Sequence, residues 1–199
     1  MSTKATLTKT FSLGGTSFPQ SAVVEGDAML VQDVSVAAAE AGALSTRTDA
    51  DTGEITMTDS GHAITTGLVV DVYWATGQRL GMTVGTVSGA AVPIDGGAGD
   101  NLPTASTAVT VKVPQELDVL LDGDKIQAII LYAASKGAFV FEDSSVAALT
   151  KVLAAANSWE WHYNNGETNP VAGDDIDTIK LSHGQTSAVT MRVGIVFNK

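Results

Sequence analysis

Apolar residues recur at every second position along much of this chain. Between residues 5 and 13, Leu7, Phe11 and Leu13 fall on one side, with Thr6, Thr8, Thr10 and Ser12 on the other. Residues 107–113 set Val109, Val111 and Val113 against Thr110 and Lys112. Near the C-terminus, Val189, Met191, Val193, Ile195 and Phe197 oppose Thr190, Arg192 and Gly194. Successive side chains of a strand point to opposite faces, so each run predicts a strand with one buried face. Branched side chains fill these runs, as a pleated surface favours.

Turn-forming pairs interrupt the alternation at short intervals: Asp51-Thr52-Gly53, Ser60-Gly61, Thr76-Gly77, Ser88-Gly89, Asp122-Gly123, Asn165-Gly166 and His183-Gly184. Many short strands with such turns predict an all-β sandwich or barrel rather than a parallel α/β sheet. No period of 20–50 residues recurs, which argues against a solenoid or propeller.

One segment predicts a helix. Over residues 144–157, Val146, Leu149, Val152, Leu153 and Ala156 recur at helical spacing, Ser144 or Ser145 can cap the start, and Asn157 can end it. This helix is expected to flank the sandwich. The Ala-rich stretch 36–44 reads as a connection.

Residues 43–106 have a denser texture, with short strands expected at 43–48, 54–58, 68–75, 80–87 and 90–95 before the Gly-rich run 96–101. They are expected to form a small barrel inserted into a sandwich built from residues 1–42 and 107–199. Residues 27–36 and 107–113 are assigned to the parent sheet.

Composition narrows the function classes. The 199 residues carry a formal charge of −11 and contain no cysteine. The acidity opposes binding to DNA or RNA, which requires clustered Lys and Arg. Disulfides, thiolate zinc sites and cysteine nucleophiles are excluded together. No apolar run approaches the roughly 20 residues that span a bilayer, and Met1-Ser2-Thr3-Lys4 opens no signal-peptide core, so no membrane partner is expected.

Catalytic chemistry has little to stand on. His62 and His183 sit beside glycines in turns, and His162 lies in an aromatic strand. There is no Gly-x-Ser-x-Gly elbow and no phosphate-cradling Gly-x-x-x-x-Gly-Lys-Ser/Thr loop. The expectation is a non-enzyme without a cofactor. Asp95, Asp100 and Asn101, then Asp122 and Asp124, then Asp174, Asp175 and Asp177 could offer oxygens to calcium. Asp and Gly also favour turns for local reasons, and no metal ligand is assigned. Trp159, Trp161 and Tyr163 alternate, which predicts one aromatic face suited to a core wall, a protein interface or a sugar platform.

Two stretches resemble proteins of tailed-phage particles. Ser60-Gly61-His62-Ala63-Ile64-Thr65-Thr66-Gly67-Leu68-Val69-Val70-Asp71-Val72-Tyr73-Trp74, then Gly81-Met82-Thr83-Val84-Gly85-Thr86-Val87-Ser88-Gly89, is similar to a small β-barrel module of phage structural proteins. Ala63 and Leu68 stand where that module has Gly and Asp. The stretch from Asp124-Lys125-Ile126-Gln127-Ala128 through Trp159-Glu160-Trp161 and Asn169-Pro170 to the last strand is similar to phage β-sandwich proteins, as are the Thr-rich first strand and Gly14-Gly15.

The resemblance implies a virion component on the capsid exterior, present in the host cytoplasm before assembly. Such a decoration protein would bind other virion proteins, the major capsid protein first, and would itself be a homo-oligomer. Thr6, Thr8 and Thr10 of the first strand, with Trp159, Trp161 and Tyr163, are the expected interface residues. A tail-tube or neck protein is the alternative within the virion. A glycan-binding module using Trp159, Trp161 and Tyr163 is the alternative of another class.

Overall fold

The computed structural model describes residues 3–13, 16–99 and 102–198, with side chains from residue 25 onward. Gly14-Gly15 and Asp100-Asn101 lie outside the described residues. Strands β1 (Thr3–Leu13) and β2 (Thr16–Gly26) pair antiparallel over their whole length, from Thr3 opposite Gly26 to Leu13 opposite Thr16. They form a separate two-stranded arm. β3 (Ala28–Val36) follows directly.

The next six strands are β4 (Glu40–Arg47), β5 (Thr52–Met57), β6 (Val69–Trp74), β7 (Gly77–Val84), β8 (Ala91–Asp95) and β9 (Ala108–Lys112). They close into a barrel in the order β4-β5-β8-β7-β6-β9. Closure comes from β9, whose Val111 lies opposite Glu40 of β4 on one side and Val72 of β6 on the other. Leu44, Ile55, Val70, Val72, Met82, Val92 and Val111 are fully buried inside. Burying each such side chain stabilises the barrel by about 1.5–3 kcal/mol, so the unit has a core of its own.

The remaining strands are β10 (Gln115–Asp122), β11 (Ile126–Ala133), β12 (Gly137–Asp143), β13 (Val146–Leu153), β14 (Asn157–His162), β15 (Asp175–His183) and β16 (Val189–Phe197). One sheet has the order β10-β15-β12-β13 and the other β14-β11-β16-β3. Their inner faces share one core containing Phe139, Phe141, Ile179, Leu181, Leu131, Met191, Val193 and Ile195. The alternation of β16 is realised: Val189, Met191, Val193 and Ile195 are buried, and Thr190 and Arg192 are exposed. Val196 and Ala128 face outward yet are also buried, with Ile130 packed against them. At that spot β2 lies against β11 and β16, and a Cβ on Gly26 would come within 2.7 Å of Val196 Cγ1.

The protein is all-β, and two sequence expectations are corrected. The flanking helix over 144–157 does not form; the segment is a hairpin strand, β13, paired with β12 from Gly137 opposite Leu153 to Asp143 opposite Val146. Ser144 and Ser145 do not cap a helix. Both adopt positive φ, 48° and 71°, as the central residues of a two-residue type I′ hairpin turn do. Leu149 and Leu153 are four apart, a separation that shares a face in a helix and in a strand alike. Pairing with β12 and burial against the opposite sheet decide for the strand. The second correction concerns residues 107–113, which supply the closing barrel strand β9 and not a strand of the parent sheet. The barrel strands therefore run from residue 40 to residue 112 rather than from 43 to 106.

Candidate functional site at the barrel–sandwich joint

Polar groups gather where the barrel meets the sandwich. β6 begins as the apolar run Val69-Val70, yet Asp71 follows and is only 3% exposed. Burial this deep is tolerated only with hydrogen-bond partners. Gly81 N donates to Asp71 Oδ1 at 2.8 Å, and the Ser182 hydroxyl donates to Oδ2. The Tyr73 hydroxyl lies 2.6 Å from Ser182 Oγ and completes a chain from Tyr73 through Ser182 to Asp71. Tyr73 and Asp71 are two apart on β6 and share its outer face, whereas Ser182 comes from β15. The chain of hydrogen bonds thus ties barrel to sandwich.

Electrostatics follow from that burial. Desolvation pushes the Asp71 carboxyl above its ordinary range, against the lowering effects of the Ser182 and Gly81 hydrogen bonds. The Tyr73 phenol is pushed far up by burial and then by the neighbouring carboxylate, and stays neutral. On β9, burial holds Lys112 below its usual value, with Glu40 acting the other way.

The end of β15 carries the second half of the joint. His183 is fully buried, its Nδ1 accepts from Gln185 N at 3.1 Å, and its Nε2 lies 3.0 Å from the Val36 carbonyl. Those partners require a neutral ring protonated on Nε2. Thr110 Oγ1 donates to the Gly184 carbonyl at 2.8 Å. A Cβ on Gly184 would come within 2.5 Å of Tyr73 Cβ, so only glycine fits that approach. Two clefts flank the joint. One, of about 580 Å³, is lined by Tyr73, Trp74, Lys136 and Gln185. The other, of about 290 Å³, is lined by Asp71, Leu80, Glu142 and Lys180, with Lys180 Nζ 2.8 Å from Glu142 and 3.7 Å from Glu116.

Chemically this arrangement is a clamp. Ser182 is 1% exposed and its proton is committed to Asp71, while the adjacent imidazole of His183 is occupied by backbone partners.

The aromatic residues singled out in the sequence do not form a single face. β14 ends at His162, so Trp159 and Trp161 point into the sandwich while Tyr163 turns away in a 3₁₀ turn and is 46% exposed. Trp161 is buried and its Nε1 donates to the Glu167 carbonyl at 3.3 Å. Trp159 packs against the core, with Lys151 Nζ 4.4 Å from its ring centroid. Thr6, Thr8 and Thr10 lie on β1 in the arm, far along the chain from the other three.

The acidic loops serve their own turns. Asp95 Oδ1 accepts from Gly97 N at 2.7 Å, Asp122 Oδ1 from Asp124 N at 3.0 Å, Asp124 Oδ1 from Gly173 N at 2.9 Å, and Asp177 Oδ2 from Ser144 N at 3.0 Å. Among the described residues, no three His, Asp or Glu side chains converge as a metal site. His62 staples two barrel loops, with Nε2 3.0 Å from the Gly89 carbonyl and Nδ1 accepting from Ile64 N at 3.2 Å.

Sequence reasoning passed over Asp71 and Arg79. The signal for Asp71 was a lone carboxylate inside an apolar strand. Arg79 explains the Gly-rich run: its Nη2 donates to the carbonyls of Gly96 and Ala98 at 2.9 and 2.8 Å, and lies 3.6 Å from Asp51. A Cβ on Gly96 or Gly99 would press within 3 Å of the guanidinium, which accounts for glycine there.

Compared with family models, with curated proteins and with solved structures, the chain matches none. Among the described residues, no helix is long and apolar enough to cross a membrane.

Proposed function

We propose that this chain is a structural protein of a tailed-phage particle, a decoration protein that binds the assembled shell through the major capsid protein and stabilises it. The reading rests on the resemblance of residues 60–89 to a phage barrel module and of residues 124–197 to phage β-sandwiches. One structural observation carries it further: an arm of two 11-residue strands that, among the described residues, pair only with each other. A two-stranded ribbon is barely stable by itself in water, and its edges offer backbone groups to a neighbour. Attachment by many such weak contacts is effective on a repeating surface, because each later contact is intramolecular.

The test is sedimentation of purified protein, alone and with undecorated capsid shells. Saturable co-sedimentation with a fixed copy number per shell is the expected result. Failure to bind shells, with the protein staying small, overturns the reading. Polymerisation into long assemblies without shells moves the assignment to the tail tube.

A further inference from the structure

The larger of the two clefts at the joint has the size and the place of a small-molecule site. Its volume is about 580 Å³, and it lies between two folded units, where such sites concentrate. The space exists because the barrel wall presents short side chains. Ala41 of β4 stands opposite Thr110 of β9, and Ala108 lies two residues before Thr110 on the same face. The facing wall belongs to the sandwich, with Lys136 just before β12 and Gly184-Gln185 just after β15.

Some polar groups along these walls are already engaged. The Tyr73 hydroxyl is bonded to Ser182, and the Thr110 hydroxyl donates to the Gly184 carbonyl. Lys136, Gln185 and Thr58 differ: among the described residues, none of these three side chains has a hydrogen-bond or ion-pair partner. Lys136 is also the one charged side chain that lines the cleft, and no carboxylate lines it. In a chain of formal charge −11, such a cleft is a local exception. The lysine is half-buried, so its charge is screened less than that of a fully exposed one.

These features define a ligand. An ammonium and a carboxamide both offer N–H donors to an anion, and a single lysine balances one negative charge rather than two. The rest of the lining is uncharged and largely apolar, with Tyr73, Trp74 and Val109 beside the alanines, and suits a flat hydrocarbon body. We propose that this cleft binds a small aromatic monocarboxylate, its carboxylate held by Lys136 and Gln185 and its ring against the barrel wall. The site is complete within one chain, so its test is separate from the shell-binding test above.

The experiment is titration of the full chain without shells, followed by calorimetry and backbone chemical shifts. The probes are phenylacetate, its neutral counterpart phenylacetamide, and phenyl phosphate. Phenylacetate is expected to bind saturably, with shifts centred on Ala41, Ala108 and Gln185. Phenylacetamide is expected to bind about tenfold more weakly, the loss of one charge-assisted hydrogen bond. Lys136→Gln removes the charge from a turn residue that has no structural partner. It is expected to bind phenylacetate about tenfold more weakly and phenylacetamide as wild type does, which excludes misfolding as the cause. Absence of saturable phenylacetate binding overturns the proposal, as does equal affinity for the acid and the amide or an unaffected Lys136→Gln. Tighter binding of phenyl phosphate also overturns it, since the site then takes a dianion. So do shifts centred away from the joint.

Discussion

The Tyr73 hydroxyl, on barrel strand β6, lies 2.6 Å from the Ser182 hydroxyl on sandwich strand β15. Ser182 passes the interaction on to Asp71, a carboxyl whose pKa burial raises. A carboxyl raised in the folded state contributes stability that is complete below its ordinary value of 3.8 and lost as pH rises through the folded value. Asp71→Asn keeps an acceptor for Gly81 and never ionises, while its amide nitrogen reverses the bond to Ser182, whose hydroxyl then accepts. The variant is expected to match wild type near pH 3.5 and to unfold at a higher temperature at pH 7. Asp71→Ala leaves both partners unpaired and is expected to lose about 2 kcal/mol or more. Thermal unfolding across that pH range checks both.

Gly184 abuts Tyr73 so closely that a methyl group has nowhere to go, with Tyr73 Cβ 2.5 Å and Cγ 2.8 Å from the added atom. Gly184→Ala is therefore expected to cost about 1–3 kcal/mol by forcing the joint apart. Loss of the Tyr73–Ser182 contact should appear as faster amide exchange in β6 and β9, while β11 and β16 stay protected. Equal loss of protection in both units would show that Gly184 matters to the whole fold instead.

The β12–β13 turn holds Ser144 and Ser145 in the left-handed region without glycine or asparagine. A non-glycine residue there costs about 1–2 kcal/mol, so Ser145→Gly is expected to stabilise the protein by about 1 kcal/mol. The denaturant midpoint should rise with no change in slope. A helix at this position would respond in the opposite sense, since glycine weakens helix termini and interiors.

Arg79 holds the Gly96–Ala98 backbone by two hydrogen bonds from a charged donor. Arg79→Met keeps the aliphatic stem and removes both bonds, and is expected to cost about 2 kcal/mol. The Gly96 amide, which donates to the Asp51 carbonyl at 2.9 Å, should exchange faster in the variant. Unchanged exchange there would mean that the loop is held by its turn geometry alone.

How far the sequence could be read depended on whether local pattern determines the structure. β16 was legible because apolar residues alternate from Val189 to Ile195, which admits one period, whereas the burial of outward-facing Val196 under β2 had no local sign. The 144–157 segment was not, because Leu149 and Leu153 share a face in either structure and two serines conceal a type I′ turn that Asn-Gly would have announced. Alternation marks Val109 and Val111 as buried but says nothing of which strand lies beside them, so β9 was placed in the wrong sheet. Trp159, Trp161 and Tyr163 alternate without any mark that the strand stops at His162. The joint was hidden for a similar reason: Asp71 and Ser182 are 111 residues apart, and neither hints at the other.

His183 makes the joint sensitive to mild acid. Its Nδ1 accepts from Gln185 N and its Nε2 donates to Val36 O, so protonation must break the first of these bonds. Burial is the main cause that lowers its pKa below 6.5, and the nearby Lys112 charge adds to it. The unfolded chain therefore takes up the proton first as pH falls below about 6.5, and stability declines from there down to the lowered folded value. His183→Asn, whose carboxamide oxygen can accept from Gln185 without titrating, is expected to be less stable than wild type at pH 7.5. The difference should shrink as pH falls to 5. Unfolding free energies of both proteins across that interval decide the matter, and parallel curves would remove His183 as the source of the acid response.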